Sequence, residues 1–312
     1  MNFITLVSSK SRMPTEFNGI DFGHAHLGET LLRTQDSSAV EGARVEVLEF
    51  IATRPAVPPD EAMIAPRFTR MFWELERTFG WAHAFHRSLY DLFASGRTKE
   101  RRALYEKLLA NYLASADAIT PKPLDHHGRL WGFEESRSFR DRAPRFNSQI
   151  WAYRWLQAAV YDVQLMGGPR AQRERMPKVL AQYHAYLEEP PIAWRFMPLM
   201  SEVAPRFAAE FPEAATIFDN LHMLHDNVDD ILSRPDLYPN DRLRRQAVLR
   251  VLQIYRHANH QGSGDYLAYE EPTGGGMAGH DMGGMAMPDM AGPRPPSAER
   301  VLGADSTGED HR

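Results

Sequence analysis

The sequence predicts an all-α protein: a bundle of about eight helices, followed by a disordered Gly/Met-rich C-terminal tail. Three observations carry that expectation. Apolar residues between positions 17 and 260 recur at helical spacing. Prolines punctuate this stretch at intervals suited to helix starts and stops. No internal repeat and no run of alternating strands stands out. With 43% apolar and 25% charged residues in 312, the chain can bury a core.

The elements follow in order. Residues 1–16 read as a flexible segment. Ser38-Ala39-Val40-Glu41 is a capping box that opens a helix to about Ala52. Pro58-Pro59-Asp60 and Pro66 precede a long helix from Arg67 to Ser95, which Gly96 stops. A helix over Thr98–Ala116 gathers Leu104, Leu108, Leu109, Tyr112 and Leu113 on one face. Thr120 to Arg145 is an irregular connector containing His126 and His127. Further helices are expected near 146–166, 176–189, 193–211 (interrupted at Pro198 and Pro205), 214–233 and 241–258. The stretch 146–166 is apolar nearly all round, so it should be central. Its stripe of Arg154, Gln157 and Tyr161 should then form a buried network with partners, an acid for Arg154 above all. The last helix is basic on one side, which reads as a solvated face. Residues 17–260 form one helical domain and 261–312 the tail.

Composition narrows the chemistry. There is no cysteine, which excludes disulfides, thiolate metal sites, thiol nucleophiles and covalent haem attachment through CxxCH. A net charge of −5 argues against a nucleic-acid partner. No apolar run approaches the roughly 18–20 residues of a membrane span. The start lacks a basic region before its short apolar run and reads as a poor secretory signal. No GxSxG, P-loop, Rossmann or HExxH motif occurs. Against these absences stand 13 His and 14 Met.

A helical wheel shows where the histidines point. Over 67–95, Phe68, Phe72, Leu75, Phe79, Ala82, Tyr90 and Phe93 form the core stripe, with His86 at its centre. His83 lies about 60° away and Glu76 about 20° beyond it, while Glu74 and Arg77 point elsewhere. In IFDNLHMLHDNVDDIL, the core stripe is Ile217, Leu221, Leu224, Val228 and Ile231. His222, His225 and Asp229 span an arc of about 60° on its flank, with Asp226 just outside. Asp219 and Asp230 point outward, toward solvent. In GIDFGHAHLGETLL, His24 aligns with Ile20, Leu27 and Leu31, whereas His26 and Glu29 fall opposite. Asp21 is a candidate cap, and Gly23 and Gly28 allow a close approach.

Five imidazoles on or beside core faces of three helices would each cost desolvation unless paired, and a metal satisfies them together. The predicted ligands are His24, Glu76, His83, His86, His222, His225 and Asp229. Arg154, Gln157, Tyr161 and Asp226 are expected to orient them. The inventory is similar to that of carboxylate-bridged di-iron bundles, but those use Glu-x-x-His where both local pairs here are His-x-x-His.

The tail adds a second donor type. Met277, Met282, Met285, Met287 and Met290 fall within 14 residues, with His280 among them. Thioether and imidazole suit monovalent copper. This stretch resembles the Met/His-rich segments of copper-resistance and copper-transfer proteins, which implies an ion-collecting or ion-delivering tail with room for a protein partner. Together the two regions favour copper over iron, manganese or zinc, in a metal-dependent redox role. Non-covalent haem between axial histidines is the alternative cofactor. A non-catalytic interaction protein with a buried His network is the third reading. The tail and the missing cysteine point to an extracytoplasmic, periplasmic compartment, although no signal peptide is visible.

Overall fold

Proline opens three of the longest helices. The computed structural model describes residues 13–57, 59–124 and 137–260, and among them are thirteen α-helices and no strand. They are α1 (Met13–Arg33), α2 (Ser37–Ala52), α3 (Glu61–Ile64), α4 (Pro66–Met71), α5 (Trp73–Ala94), α6 (Arg101–Leu113) and α7 (Ser138–Arg142). There follow α8 (Pro144–Gln164), α9 (Pro169–Glu188), α10 (Met200–Val203), α11 (Pro205–Glu210), α12 (Pro212–Leu232) and α13 (Asp241–Tyr255). Five of these, α4, α8, α9, α11 and α12, have proline in their first turn, where the missing N–H is no loss. The all-α class is as the sequence predicts. No described helix is long and apolar enough to cross a membrane.

Four consecutive pairs, α1–α2, α5–α6, α8–α9 and α12–α13, pack side by side. One member of each pair, α1, α5, α8 or α12, turns inward, and these four make the centre of the bundle. In α8, every residue from Phe146 to Val163 except Gln157 is buried, which confirms its central place. A short antiparallel bridge, Thr120 N–H to Tyr255 O at 2.8 Å and His257 N–H to Ala118 O at 2.7 Å, ties the end of α13 to the segment after α6.

The helices are more numerous and shorter than the sequence implied. A four-residue phrase, Ala-Pro-Arg-Phe, recurs at 65–68, 143–146 and 204–207, where no repeat was expected. Each time a short helix ends, the alanine takes φ −121 to −136° and ψ 58 to 66°, and the next helix begins at the proline. A residue before proline is excluded from the helical region, so the chain kinks and restarts. The restarted helices have no cap of their own. Instead, carboxylates from other helices accept their free N–H groups. Glu29 takes those of Arg67 and Phe68, both at 3.0 Å. Glu41 takes that of Arg145 at 2.9 Å. Asp162 takes those of Arg206 and Phe207 at 2.8 and 3.2 Å. Asp230 takes those of Arg137 and Phe139 at 2.9 and 2.8 Å, at the start of α7.

These contacts correct several expectations. The helix expected over 67–95 is α4 and α5, broken at Phe72 (φ −124°, ψ 39°), with α3 ahead of it. The expected 193–211 helix is only α10 and α11. Asp36, not Ser38, caps α2. Asp21 lies inside α1 and pairs with Arg87. Asp219 and Asp230 face inward, because one meets Arg154 and the other caps α7. The basic face of α13 is only half solvated: Arg242 and Arg250 are exposed, but Arg245 reaches Glu74 and the Met71 carbonyl.

Asp162 is fully buried and joins α8 to α11. Asp162→Ala should destabilise the protein by about 2–3 kcal/mol, because two helix N–H groups lose their charged acceptor. Urea unfolding of the variant measures this, and a loss below about 0.5 kcal/mol would show that the caps are dispensable.

Candidate functional site

His225 of α12 lies at the centre of an imidazole cluster. Its ring centroid is 4.8 Å from that of His24 on α1, 6.0 Å from His83 on α5 and 5.9 Å from His222 on α12. Phe79 stacks on His225 at 3.8 Å. His86, one turn on from His83 along α5, sits edge-on to Phe218 at 4.9 Å. The histidines that the wheel places near core stripes lie together here, because α1, α5 and α12 all belong to the inner four helices.

Hydrogen bonding fixes the tautomers of three rings. Nδ1 of His24 donates to the Ile20 carbonyl at 3.0 Å, Nδ1 of His222 to Phe218 at 2.8 Å and Nδ1 of His225 to Leu221 at 3.1 Å. Each bond reaches back one turn along the residue's own helix. A neutral imidazole that donates at Nδ1 carries its lone pair at Nε2. Burial, first of all, keeps these rings neutral. It lowers His24 and His83 to about 4 and His86 to about 3, with neighbouring positive charge acting in the same direction. It holds His222 and His225 well below the usual imidazole value. The Nε2 atoms of His24 and His86 are buried without a hydrogen-bond partner.

The flanking residues divide into two groups. Gln157 and Tyr161, expected on the α8 stripe, both reach the cluster. The Gln157 side-chain amide lies 3.0 Å from His222 Nε2, and since that nitrogen can only accept, the amide must turn its NH₂ toward the ring. Tyr161 lies 2.9 Å from His86 Nδ1 and stacks on Tyr90 at 4.1 Å. Arg154 pairs with Asp219 instead of entering the cluster. His26 faces Glu46 at 3.1 Å, away from the others.

The predicted carboxylates fall elsewhere. The Glu76 carboxyl hydrogen-bonds that of Glu61, and burial followed by this like-charged neighbour raises it to about 8. Glu61 is raised mainly by burial too, and it senses Asp21 and Arg87. Burial, and then the neighbouring Asp226 and Asp230, hold Asp229 well above the usual carboxyl value. Asp226 accepts from Trp151 Nε1 at 3.1 Å. The sequence reading missed Asp21, Glu61 and Arg87. Asp21 reads as a candidate helix cap and nothing in the sequence singles out Glu61, and only the packing of α3 on α1 places Glu61 near the site.

Among the described residues, no three His, Asp or Glu side chains have donor atoms already gathered for one metal ion. The tail residues Met277, His280, Met282, Met285, Met287 and Met290 lie outside the described residues, as do His126 and His127. No protein-family model matches the chain, and neither curated proteins nor solved structures give a match.

Proposed function

We propose that His24, His83 and His225 bind one transition-metal ion inside the bundle, copper before iron, manganese or zinc. The observation that carries this reading is the shared Nδ1–carbonyl bond of His24 and His225 beside His83. His24 and His225 each spend Nδ1–H on a backbone carbonyl and keep Nε2 as a lone-pair donor, that of His24 buried without a hydrogen-bond partner. Metal-ligating histidines are held this way by their outer hydrogen bonds. Two imidazoles sharing an ion at about 2.0–2.1 Å have centroids roughly 5–6 Å apart, the spacing found around His225. Closing the set requires side-chain rotation. The Glu61–Glu76 carboxyl pair is proposed as an oxygen donor once rotated, and His222 and His86 remain engaged with Gln157 and Tyr161.

Redox chemistry belongs to the same proposal, because the stacked Tyr90–Tyr161 pair adjoins His86. The methionine tail is proposed to collect or deliver the ion. Metal-free protein titrated with Cu(I) and Cu(II) should bind an ion that survives replacement of the five tail methionines by serine. His83→Ala/His225→Ala should lose that equivalent. At a hundredfold excess of free ion over Kd, stability should rise by about 2.7 kcal/mol in the parent and not in the double variant. A double variant that loads normally rejects the bundle site. An intense Soret band in protein purified natively would favour haem instead.

A further inference from the structure

We propose that a second cleft, between α7, α8 and α12, binds a monoanionic carboxylate carried on an apolar body. The cleft is independent of the imidazole cluster and is lined by Arg137, Arg140, Arg195, Asn147, Trp151 and Met197, with Asp226 and Asp230 on its α12 side. Two donors in it have nothing to bind. Asn147 is only 5% exposed and its Nδ2 has no hydrogen-bond partner. Nη1 of Arg140 is also buried without one. The rest of the Arg140 guanidinium is immobilised: Nη2 donates to the carbonyls of Ile192, at 2.8 Å, and of Trp194. Its carbon lies 4.5 Å from the centre of the Trp151 ring. Buried donors of this kind are satisfied in most proteins, so each suits an acceptor presented in the cleft that both residues line.

The lining sets the class of ligand. Three arginines give the cleft positive charge. The two aspartates oppose it weakly, since burial favours their neutral form although Asp230 accepts the N–H groups of Arg137 and Phe139 and Asp226 that of Trp151 Nε1. Their presence disfavours a dianion. Trp151, Phe196 and Met197 offer an apolar wall beside the donors, which suits a carboxylate on a hydrocarbon or aromatic body over a fully hydrated ion.

Benzoate is a suitable probe, titrated calorimetrically into the full chain with benzamide and inorganic phosphate as comparisons. Benzoate should bind with a Kd of about 0.1–1 mM and benzamide at least tenfold more weakly. Asn147→Ala and Arg140→Gln should each weaken benzoate about tenfold. Arg195 is exposed, so Arg195→Glu keeps the fold while reversing the charge at the cleft mouth, and it should weaken benzoate by a similar factor. Equal binding of benzoate and benzamide, undiminished binding in both Asn147→Ala and Arg195→Glu, tighter binding of phosphate, or no saturable binding up to about 10 mM would each overturn the proposal.

Discussion

Arg154→Ala will destabilise the protein by about 3–5 kcal/mol, the usual cost of removing one partner of a buried ion pair. The Arg154 side chain is 1% exposed and that of Asp219 13%. Burial weakens both charges: it lowers Arg154 below the usual arginine value and raises Asp219 to about 6 despite the guanidinium beside it. The pair is therefore held together at a large desolvation cost, and neither member is stable alone. Without Arg154, Asp219 keeps only the Met200 N–H at 3.0 Å, and Asp226 and Glu202 lose a nearby cation. The Phe218 ring, 5.2 Å from the guanidinium carbon, loses its cationic neighbour.

The corollary separates charge from packing. Arg154→Met/Asp219→Leu removes both ions and keeps most of the volume, so it should recover much of the loss seen in Arg154→Ala. Urea unfolding of the two single variants and the double gives the coupling energy. If Arg154→Ala costs less than about 1 kcal/mol, the pair is incidental and α8 is held by its apolar contacts alone.

The same residue shows what was legible beforehand. Its burial on an all-round apolar helix could be read from the text, and so could its need for an acid. The partner could not. Asp219 sits on the polar-looking flank of α12, and only the docking of α10 and α11 covers that flank. The histidines were legible for the opposite reason. Helical periodicity alone puts His24, His83, His86, His222 and His225 near core stripes, and three inner helices then have to bring them together. Glu76 and Asp229 share faces with those histidines, yet their carboxyls swing toward Glu61 and toward Asp226. A wheel assigns a direction from the axis but not where a long side chain ends. The kinks at Ala65, Ala143 and Ala204 were visible as X-Pro steps. That they are capped by acids from distant helices was not, because such caps belong to the tertiary fold.

Metal-free protein should be most stable at about pH 5–6.5 and should lose stability on both sides, for opposite reasons. On the acid side the histidines dominate. Their native values lie below 6.5, at about 4 for His24 and His83 and about 3 for His86, so the unfolded chain binds more protons. Their contribution is complete above pH 6.5 and is lost as pH falls toward 4 and below, at up to about 1.4 kcal/mol per pH unit for each ring. On the alkaline side the raised carboxyls dominate. Glu76 at about 8 and Asp226 at about 7 hold protons that the unfolded chain has released. That stability is complete below the ordinary carboxyl range and is lost as pH rises through 7 and 8. Glutamine mimics the protonated acid at every pH, so Glu76→Gln should match the parent near pH 5 and exceed it at pH 8.5 by about 1–3 kcal/mol. Thermal melts of both proteins at pH 5, 7 and 8.5 measure the difference. Parallel curves would mean that Glu76 ionises freely in the folded state and that its carboxyl is not held against Glu61.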